Sequence, residues 1–310
     1  MVYNMDRKQA LKLVEMPLTE LLAAADRTRR ENTGSDVSIC GVINAKSGSC
    51  GEDCRFCAQS AHHNAEVPVY DLKTAGDIIK EARRAKENGA CRFGIVTSGN
   101  RLTGEELRRI AEAIAVIRNE TGIIPCASLG ALTRGEFEIL KEAGLSRYHH
   151  NIETSGNFYP SIVTTHDYSE RLNTVRNAKA AGLEVCSGGI LGMGESWRDR
   201  IDMAFTLDDL GVDAVPLNFL VPIKGTPLQA AERMMPFDAI RSIAIFRMIL
   251  PAAEIKVVAG RESLLKDYQG LLYLAGANGM MVGGYLTIAG RSVDEDRALV
   301  RDVETLWNRE

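Results

Sequence analysis

The 310-residue sequence contains no apolar run approaching the roughly 18 residues of a membrane span, and residues 1–18 lack the apolar core of a secretory signal. Both absences predict a cytoplasmic protein that does not engage a membrane. A long Lys/Arg run is missing too. With 37 basic against 41 acidic residues and a formal charge of −4, the electrostatic footprint of a nucleic-acid binder is absent and small-molecule chemistry is favoured. No segment is low in complexity, and no repeat stands out beyond an alternation of strand and helix patterns. A composition of 45% hydrophobic and 25% charged residues excludes disordered, collagenous and coiled-coil chains. What is present is an odd number of cysteines, seven, in an expected reducing compartment. They cannot all pair within the chain, so ligand thiolates are the leading reading.

Residues 5–31 read as one amphipathic helix, with Leu11, Val14, Leu18, Leu21 and Leu22 on its apolar face, ended by the turn-forming residues 32–36. Short β-rich runs then alternate with longer helical patterns. Strands are predicted near 37–44, 91–97, 122–129, 146–152, 183–190, 213–220, 255–259 and 279–283. Helices are predicted over 73–88, 103–119, 134–143, 168–181, 197–210 and 235–249, several closing on glycine at Gly89, Gly144, Gly182 and Gly211. Eight βα units imply an α/β fold with a parallel sheet, a (β/α)₈ barrel of TIM type. The expected organisation is a helical extension over 1–35 and a barrel over 36–310, a single domain overall. In such a barrel reactive groups gather at the C-terminal ends of the strands. One long loop, about 45–70, follows the first strand, and a loop of that length in a compact domain points to function.

That loop carries Cys50, Cys54 and Cys57 in a C-x₃-C-x₂-C spacing. Three soft ligands suit a four-iron cluster with one iron left open for catalysis. A structural zinc site needs a fourth ligand, which His62 or His63 could supply, and inert thiols are the remaining alternative.

The spacing, with Phe56 before the last cysteine, resembles the radical S-adenosylmethionine (SAM) superfamily, and residues 44–63 around it resemble the biotin synthase family. The resemblance runs over roughly residues 10–290 and includes 148–155, 185–190, 218–221, 224–227, 259–262 and 275–278. It implies a radical SAM fold and an enzyme of biotin biosynthesis, a sulfurtransferase that inserts sulfur between two unactivated carbons of dethiobiotin. A side-chain base cannot take those hydrogens. The implied route is cleavage of two SAM molecules by the [4Fe–4S] cluster to give 5′-deoxyadenosyl radicals, with sulfur from an auxiliary iron–sulfur cluster. The implied partners are an electron donor such as flavodoxin or ferredoxin and a second copy of the chain in a homodimer. Other radical enzymes of similar design, a hydrogenase maturase or an amino-acid mutase, are the alternative, followed by a non-catalytic iron–sulfur or zinc protein.

Several further residues are assigned by the resemblance. Phe56, Asn151, Glu153, Arg171 and Ile190 contact SAM, Asn151 also touches substrate, and Asn218 bonds the ureido ring of dethiobiotin, which an amide that both donates and accepts matches well. Asn151 and Glu153, two apart on the fourth strand, are expected to face the barrel interior together. The glycine-rich stretch 187–195 is expected to let backbone approach SAM. His150 reads as a packed core imidazole ahead of a catalytic base, and His62 and His63 as solvated.

The auxiliary site departs from the family pattern. Relatives carry a cysteine where this chain has Gly94. Cys91 lies an odd three residues away and should point outward into the helices, whereas Cys40 matches a position near the auxiliary site. Cys40, Cys126, Cys186 and Arg261 are expected on strands one, three, five and seven, the alternate strands that supply one interior layer. The favoured arrangement is a second four-iron cluster on Cys40, Cys126 and Cys186 carrying an extra sulfide, with Arg261 as a neighbouring cation or, less favoured, a ligand. A [2Fe–2S] cluster is the alternative.

Overall fold

The structure, a computed structural model, describes residues 5–309. Its strands are β1 (Ser38–Lys46), β2 (Arg92–Thr97), β3 (Ile124–Ser128), β4 (Arg147–His149), β5 (Glu184–Cys186), β6 (Gly189–Leu191), β7 (Ala214–Phe219), β8 (Glu254–Val257) and β9 (Gly279–Met281). They pair in the order β5-β4-β3-β2-β1-β9-β8-β7-β6, all in parallel, and β5 also pairs with β7. The ring is therefore closed, and β5 and β6 are two halves of one stave interrupted at Ser187-Gly188. Eight staves result, as the sequence pattern predicts.

Between them run α1 (Arg7–Lys12), α2 (Leu18–Thr33), α3 (Ala75–Glu87), α4 (Gly104–Glu120), α5 (Arg134–Glu142), α6 (Tyr168–Ala180), α7 (Trp197–Asp209), α8 (Pro236–Ile249), α9 (Arg261–Leu265), α10 (Leu271–Leu274) and α11 (Val293–Trp307). Thr103, Thr133, Ser196 and Ser292 start their helices with reciprocal capping boxes, which satisfies backbone donors that would otherwise be orphaned. Gly89, Gly144, Gly182 and Gly211 follow helix ends with φ of 90°, 101°, 75° and 59°, the left-handed stop.

The single helix expected over 5–31 is two helices. Pro17, the N-cap of α2, lacks an amide hydrogen and disfavours helical backbone at Met16, so the chain restarts there. The α2 segment packs on α8 and α10, and Arg29 lies 3.7 Å over the ring of Trp307 on α11. No sequence-level expectation covered α9, α10 or α11.

Strand alternation sorts the barrel wall. Ile43, Phe93, Ile95, Tyr148, Val185, Leu217, Ile255 and Val257 are buried and face the helices, as Tyr148 does with its ring 4.6 Å from that of Phe137 on α5. Their neighbours in sequence face the axis. At the N-terminal end of the barrel these inward positions are charged. Arg92, Arg147, Glu184 and Glu254 are each the first residue of a strand. Arg92 meets Glu184 at 3.0 Å, and Arg147 reaches Glu184 at 2.8 Å and Glu254 at 2.5 Å. Two residues further in, Lys256 meets Glu254 at 3.1 Å. This ion network floors the barrel.

Burial alone would raise the Glu254 carboxyl, but Lys256 and Arg147 outweigh it and hold it down to about 2 from 4.5. A folded-state pKa below the unfolded one contributes stability fully present above about 4.5 and lost as pH falls through about 2. The metal-free protein should therefore show a falling urea midpoint over that window. Glu254→Gln should cost about 3 kcal/mol at neutral pH, since it strands buried cations; a midpoint at pH 7 equal to the parent's would contradict this account of the floor.

Candidate active site

The loop after β1 is held in shape by its own backbone and by one amide side chain. Cys50 N–H donates to Gln59 O at 3.0 Å, Cys57 N–H to Cys54 O at 2.9 Å, and Ala61 N–H to Cys50 O at 2.8 Å. Gln59 Oε1 accepts from Ser47 Oγ and Gly48 N–H at 3.1 and 3.2 Å. The two acidic residues inside the cysteine motif reach more than a hundred residues along the chain. Asp53 accepts from the Thr164 and Thr165 amides at 2.9 and 3.2 Å, and from the Thr164 hydroxyl. Glu52 accepts from His166 Nδ1 at 2.8 Å. Burial would raise Asp53, yet these hydrogen bonds bring it down to about 2. The loop is latched to the segment before α6.

Cys54 is buried in an apolar collar of Tyr159, Ile162, Val163, Met193 and Leu228, with Phe56, Cys57 and Ile190 packed against it. Burial pushes Cys57 up to about 11 and Cys54 higher still, though the Arg171 charge draws Cys54 back. Without a Lewis acid both stay thiols at neutral pH; bound to metal they ionise. His62 and His63 present Nε2 to the carbonyls of Gly51 and Cys54 at 2.9 and 3.0 Å, so neither turns to the thiols as a fourth ligand. Among the described residues no three His, Cys, Asp or Glu side chains converge at single-ion spacing. Three soft thiol donors near enough to feel one another's charge suit a multi-iron body, and the residues present fit an iron–sulfur cluster.

Beside this loop the expected SAM contacts assemble, by a different local geometry. Strand β4 ends at His149, so Asn151 and Glu153 do not share a strand. They meet, Asn151 Nδ2 to Glu153 Oε2 at 3.4 Å, because Glu153 takes a left-handed φ of 67°, a strained conformation for a residue with a side chain. Glu153 also pairs with Arg171 at 3.4 Å, and burial raises its carboxyl against the pull of Arg171. His150 Nε2 stands 3.0 Å from Arg171 Nη1. It is buried, with its basicity well below normal, and so accepts that hydrogen bond and steadies the guanidinium. Asn151 Oδ1 accepts from Gly188 N–H at 3.1 Å. Asn218 donates to Gly189 O and accepts from Ala259 N–H, both at 3.2 Å, which leaves one hydrogen and one lone pair for a ligand.

The glycine pair Gly188-Gly189 is required by the fold itself. A Cβ at Gly188 would stand 2.0 Å from Pro216 O, and one at Gly189 2.2 Å from Glu153 O. The neighbouring backbone leaves no space for a side chain at either position.

Deeper in the barrel lies a second thiol set. Cys40, Cys126 and Cys186 occupy inward positions of β1, β3 and β5. Burial pushes Cys126 up to about 11 and Cys186 to about 12, with Lys256 and Arg147 drawing both back and Cys40 raising both. Arg261 does not join them. It begins α9, beyond β8, and its buried guanidinium pairs with Asp296 at 2.7 Å and Glu262 at 3.3 Å. Gly260, with φ 86°, turns the chain before Arg261 can extend the strand. The fourth member of the layer is Lys256 on β8, Nζ 2.8 Å from Cys40 Sγ. Cys91 is exposed, 3.2 Å from Ile39 O, and so is not packed among helices. Gly94 pairs with Val42 and Cys126 in the wall. Sequence reasoning missed Lys256, His149 and the floor charges, although Glu254/Lys256, Arg147/His149 and Glu184/Cys186 each place polar residues two apart in a short strand, the signature of an inward row.

Asp53→Ala should leave the barrel folded but free the cysteine loop, since a charged acceptor's hydrogen bonds contribute about 1.5–3 kcal/mol each. Iron held by the loop should then be stripped by a chelator at least about tenfold faster, as ~1.4 kcal/mol already corresponds to that factor. An unchanged extraction rate would dismiss the latch.

Two family signatures divide the chain: the Radical SAM superfamily over residues 46–207 and the Biotin and Thiamin Synthesis associated domain over 216–305. A biotin synthase of Geotalea daltonii is 49% identical over 300 residues, spanning 96% of this chain and 91% of that one. A biotin synthase of Thermotoga neapolitana is 51% identical over 273 residues, 88% and 98%. Among solved structures, methylornithine synthase superposes with a TM-score of 0.83 at 21% identity, covering 98% and 94%. The FeFe-hydrogenase maturase HydG from Carboxydothermus hydrogenoformans gives 0.84 at 18%, covering 96% and 74%. These two share the fold. The identity held across nearly the whole chain, over a barrel with two thiol sets, shows that the chain belongs to the biotin synthase family of the radical SAM superfamily.

Proposed function

We infer that two thiol sets at two depths of one closed barrel divide the work of a single reaction, the conversion of dethiobiotin to biotin. The observation that carries this reading is the separation itself: Cys50, Cys54 and Cys57 stand in the mouth loop, and Cys40, Cys126 and Cys186 in the wall below. Cys50, Cys54 and Cys57 would hold a [4Fe–4S] cluster, and Cys40, Cys126 and Cys186 the auxiliary one. When bound, the first supplies the one-electron cleavage of SAM that permits hydrogen abstraction from unactivated carbon, and the second supplies sulfur.

The chain's own share is to bind, orient and exclude water. Arg171, held by Glu153 and His150, offers a cation to the carboxylate of SAM. Phe56 and Ile190, in the collar beside Cys54, give an apolar surface for its adenosine part, and Glu153 and Asn151 its polar rim. The free hydrogen and lone pair of Asn218 suit the ureido group of dethiobiotin, between mouth and wall. Lys256 takes the role expected of Arg261, a cation beside an anionic cluster. Three wall thiols with a lysine in place of a fourth soft ligand favour a second four-iron cluster with an extra sulfide over a [2Fe–2S] one. An electron donor of the flavodoxin or ferredoxin class, a homodimer and a cytoplasmic location complete the reading; among the described residues no helix is long and apolar enough to cross a membrane.

Changing Cys50, Cys54 or Cys57 singly to Ala should abolish 5′-deoxyadenosine formation from SAM under dithionite while the far-ultraviolet spectrum stays that of a folded barrel. SAM cleavage at the parent rate by any one variant would refute the assignment. The triple Ala variant isolates the second site, where anaerobic reconstitution should leave about four irons per chain. Adding Cys40→Ala should reduce that content; about two irons with a [2Fe–2S] spectrum, or no loss from Cys40→Ala, would refute the four-iron reading.

A further inference from the structure

We propose that His149 is a positioning residue of the auxiliary site, donating an Nδ1–H hydrogen bond to the sulfur of Cys186. The proposal rests on the reading that Cys186 is a cluster ligand. Because Tyr148 packs outward on Phe137, its neighbours Arg147 and His149 face the axis. His149 is the register partner of Cys186 across β4 and β5, and its Nδ1 lies 3.4 Å from that sulfur. A metal-bound thiolate has no hydrogen to give. The hydrogen between the two atoms must therefore come from the imidazole, which fixes the ring as the Nδ1–H form.

The three thiols of the wall are then unequal. Cys40 receives the ammonium of Lys256 at 2.8 Å, and Cys186 receives the imidazole. The Cys126 sulfur has for its neighbour the Ile124 carbonyl at 4.0 Å, which cannot donate. Hydrogen bonds to the sulfurs of a cluster withdraw electron density and raise its reduction potential. His149 would thus make the auxiliary cluster easier to reduce.

The test uses the full chain with Cys50, Cys54 and Cys57 changed to Ala, reconstituted anaerobically with iron and sulfide. His149→Leu removes the donor, and His149→Gln restores an amide N–H. Iron content should be the same in all three proteins. The reduction potential, read by spectroelectrochemical titration, should move negative in His149→Leu and return toward the parent in His149→Gln. Pulsed electron paramagnetic resonance on the reduced, ¹⁵N-histidine-labelled parent should show one weak nitrogen coupling that His149→Leu abolishes. An unchanged potential in His149→Leu, or a strong coupling with loss of iron that marks His149 as a direct ligand, would overturn the proposal alone. A parent that binds no iron would overturn the ligand reading and the proposal together.

Discussion

Ionisable sulfur buried inside a closed barrel is the constraint around which the other inward residues are arranged. Removing a thiolate from water is costly unless positive charge is near. The metal-free chain resolves this by keeping Cys126 and Cys186 protonated, with burial pushing them up to about 11 and 12. The floor beneath holds three cations, Arg92, Arg147 and Lys256, against two carboxylates, Glu184 and Glu254. One positive charge is thus left over on the side facing the thiols. Lys256 stays charged despite burial, because Cys40 and Glu254 favour its ammonium form. A layer of this kind is electrostatically ready for an anionic body.

The mouth solves a different problem. Its three cysteines sit on a loop, and a loop carries no ladder of backbone hydrogen bonds to fix its shape. Here order comes from Gln59 within the loop, from the Asp53 and Glu52 latch onto Thr164, Thr165 and His166, and from the apolar collar around Cys54. The same segment leads into α6, which carries Arg171. The cluster loop and the cation expected to meet SAM are therefore held to one piece of chain, so a shift in one is felt by the other.

Between floor and mouth the wall itself is modified. The fifth stave breaks at Ser187-Gly188, where the close approach of Pro216 and Glu153 backbone leaves no space for a Cβ. That crowding is coupled to the left-handed Glu153 and to Asn151, which accepts from Gly188 N–H. Strain stored at Glu153 is held in place by Arg171, by Asn151 and by the pairing of Glu153 with Gly189 across the break.

Much of this was legible before any coordinates. Strand and helix periodicity located all eight staves and six of the helices between them, α3 to α8, to within a few residues, because alternation and capping are local properties of neighbouring side chains. The C-x₃-C-x₂-C spacing was legible for the same reason, since three cysteines in eight residues must lie together whatever the fold. Residues whose role depends on where a strand stops were not legible. Arg261 reads as the seventh-strand member of the thiol layer until the left-handed Gly260 turns the chain and hands that place to Lys256. Asn151 and Glu153 come together through a backbone angle that alternation does not describe, and Pro17 divides a helix whose apolar face continues on both sides. The latch from Asp53 to Thr164 and the pairing of His149 with Cys186 join residues far apart in the chain. The sequence by itself determined the barrel and the gathering of three cysteines on one loop, since both depend on local pattern, while the chemistry was read from resemblance to a known family. Only the tertiary structure decided which charges meet the buried sulfurs, because strand ends and register are set by packing across the whole ring.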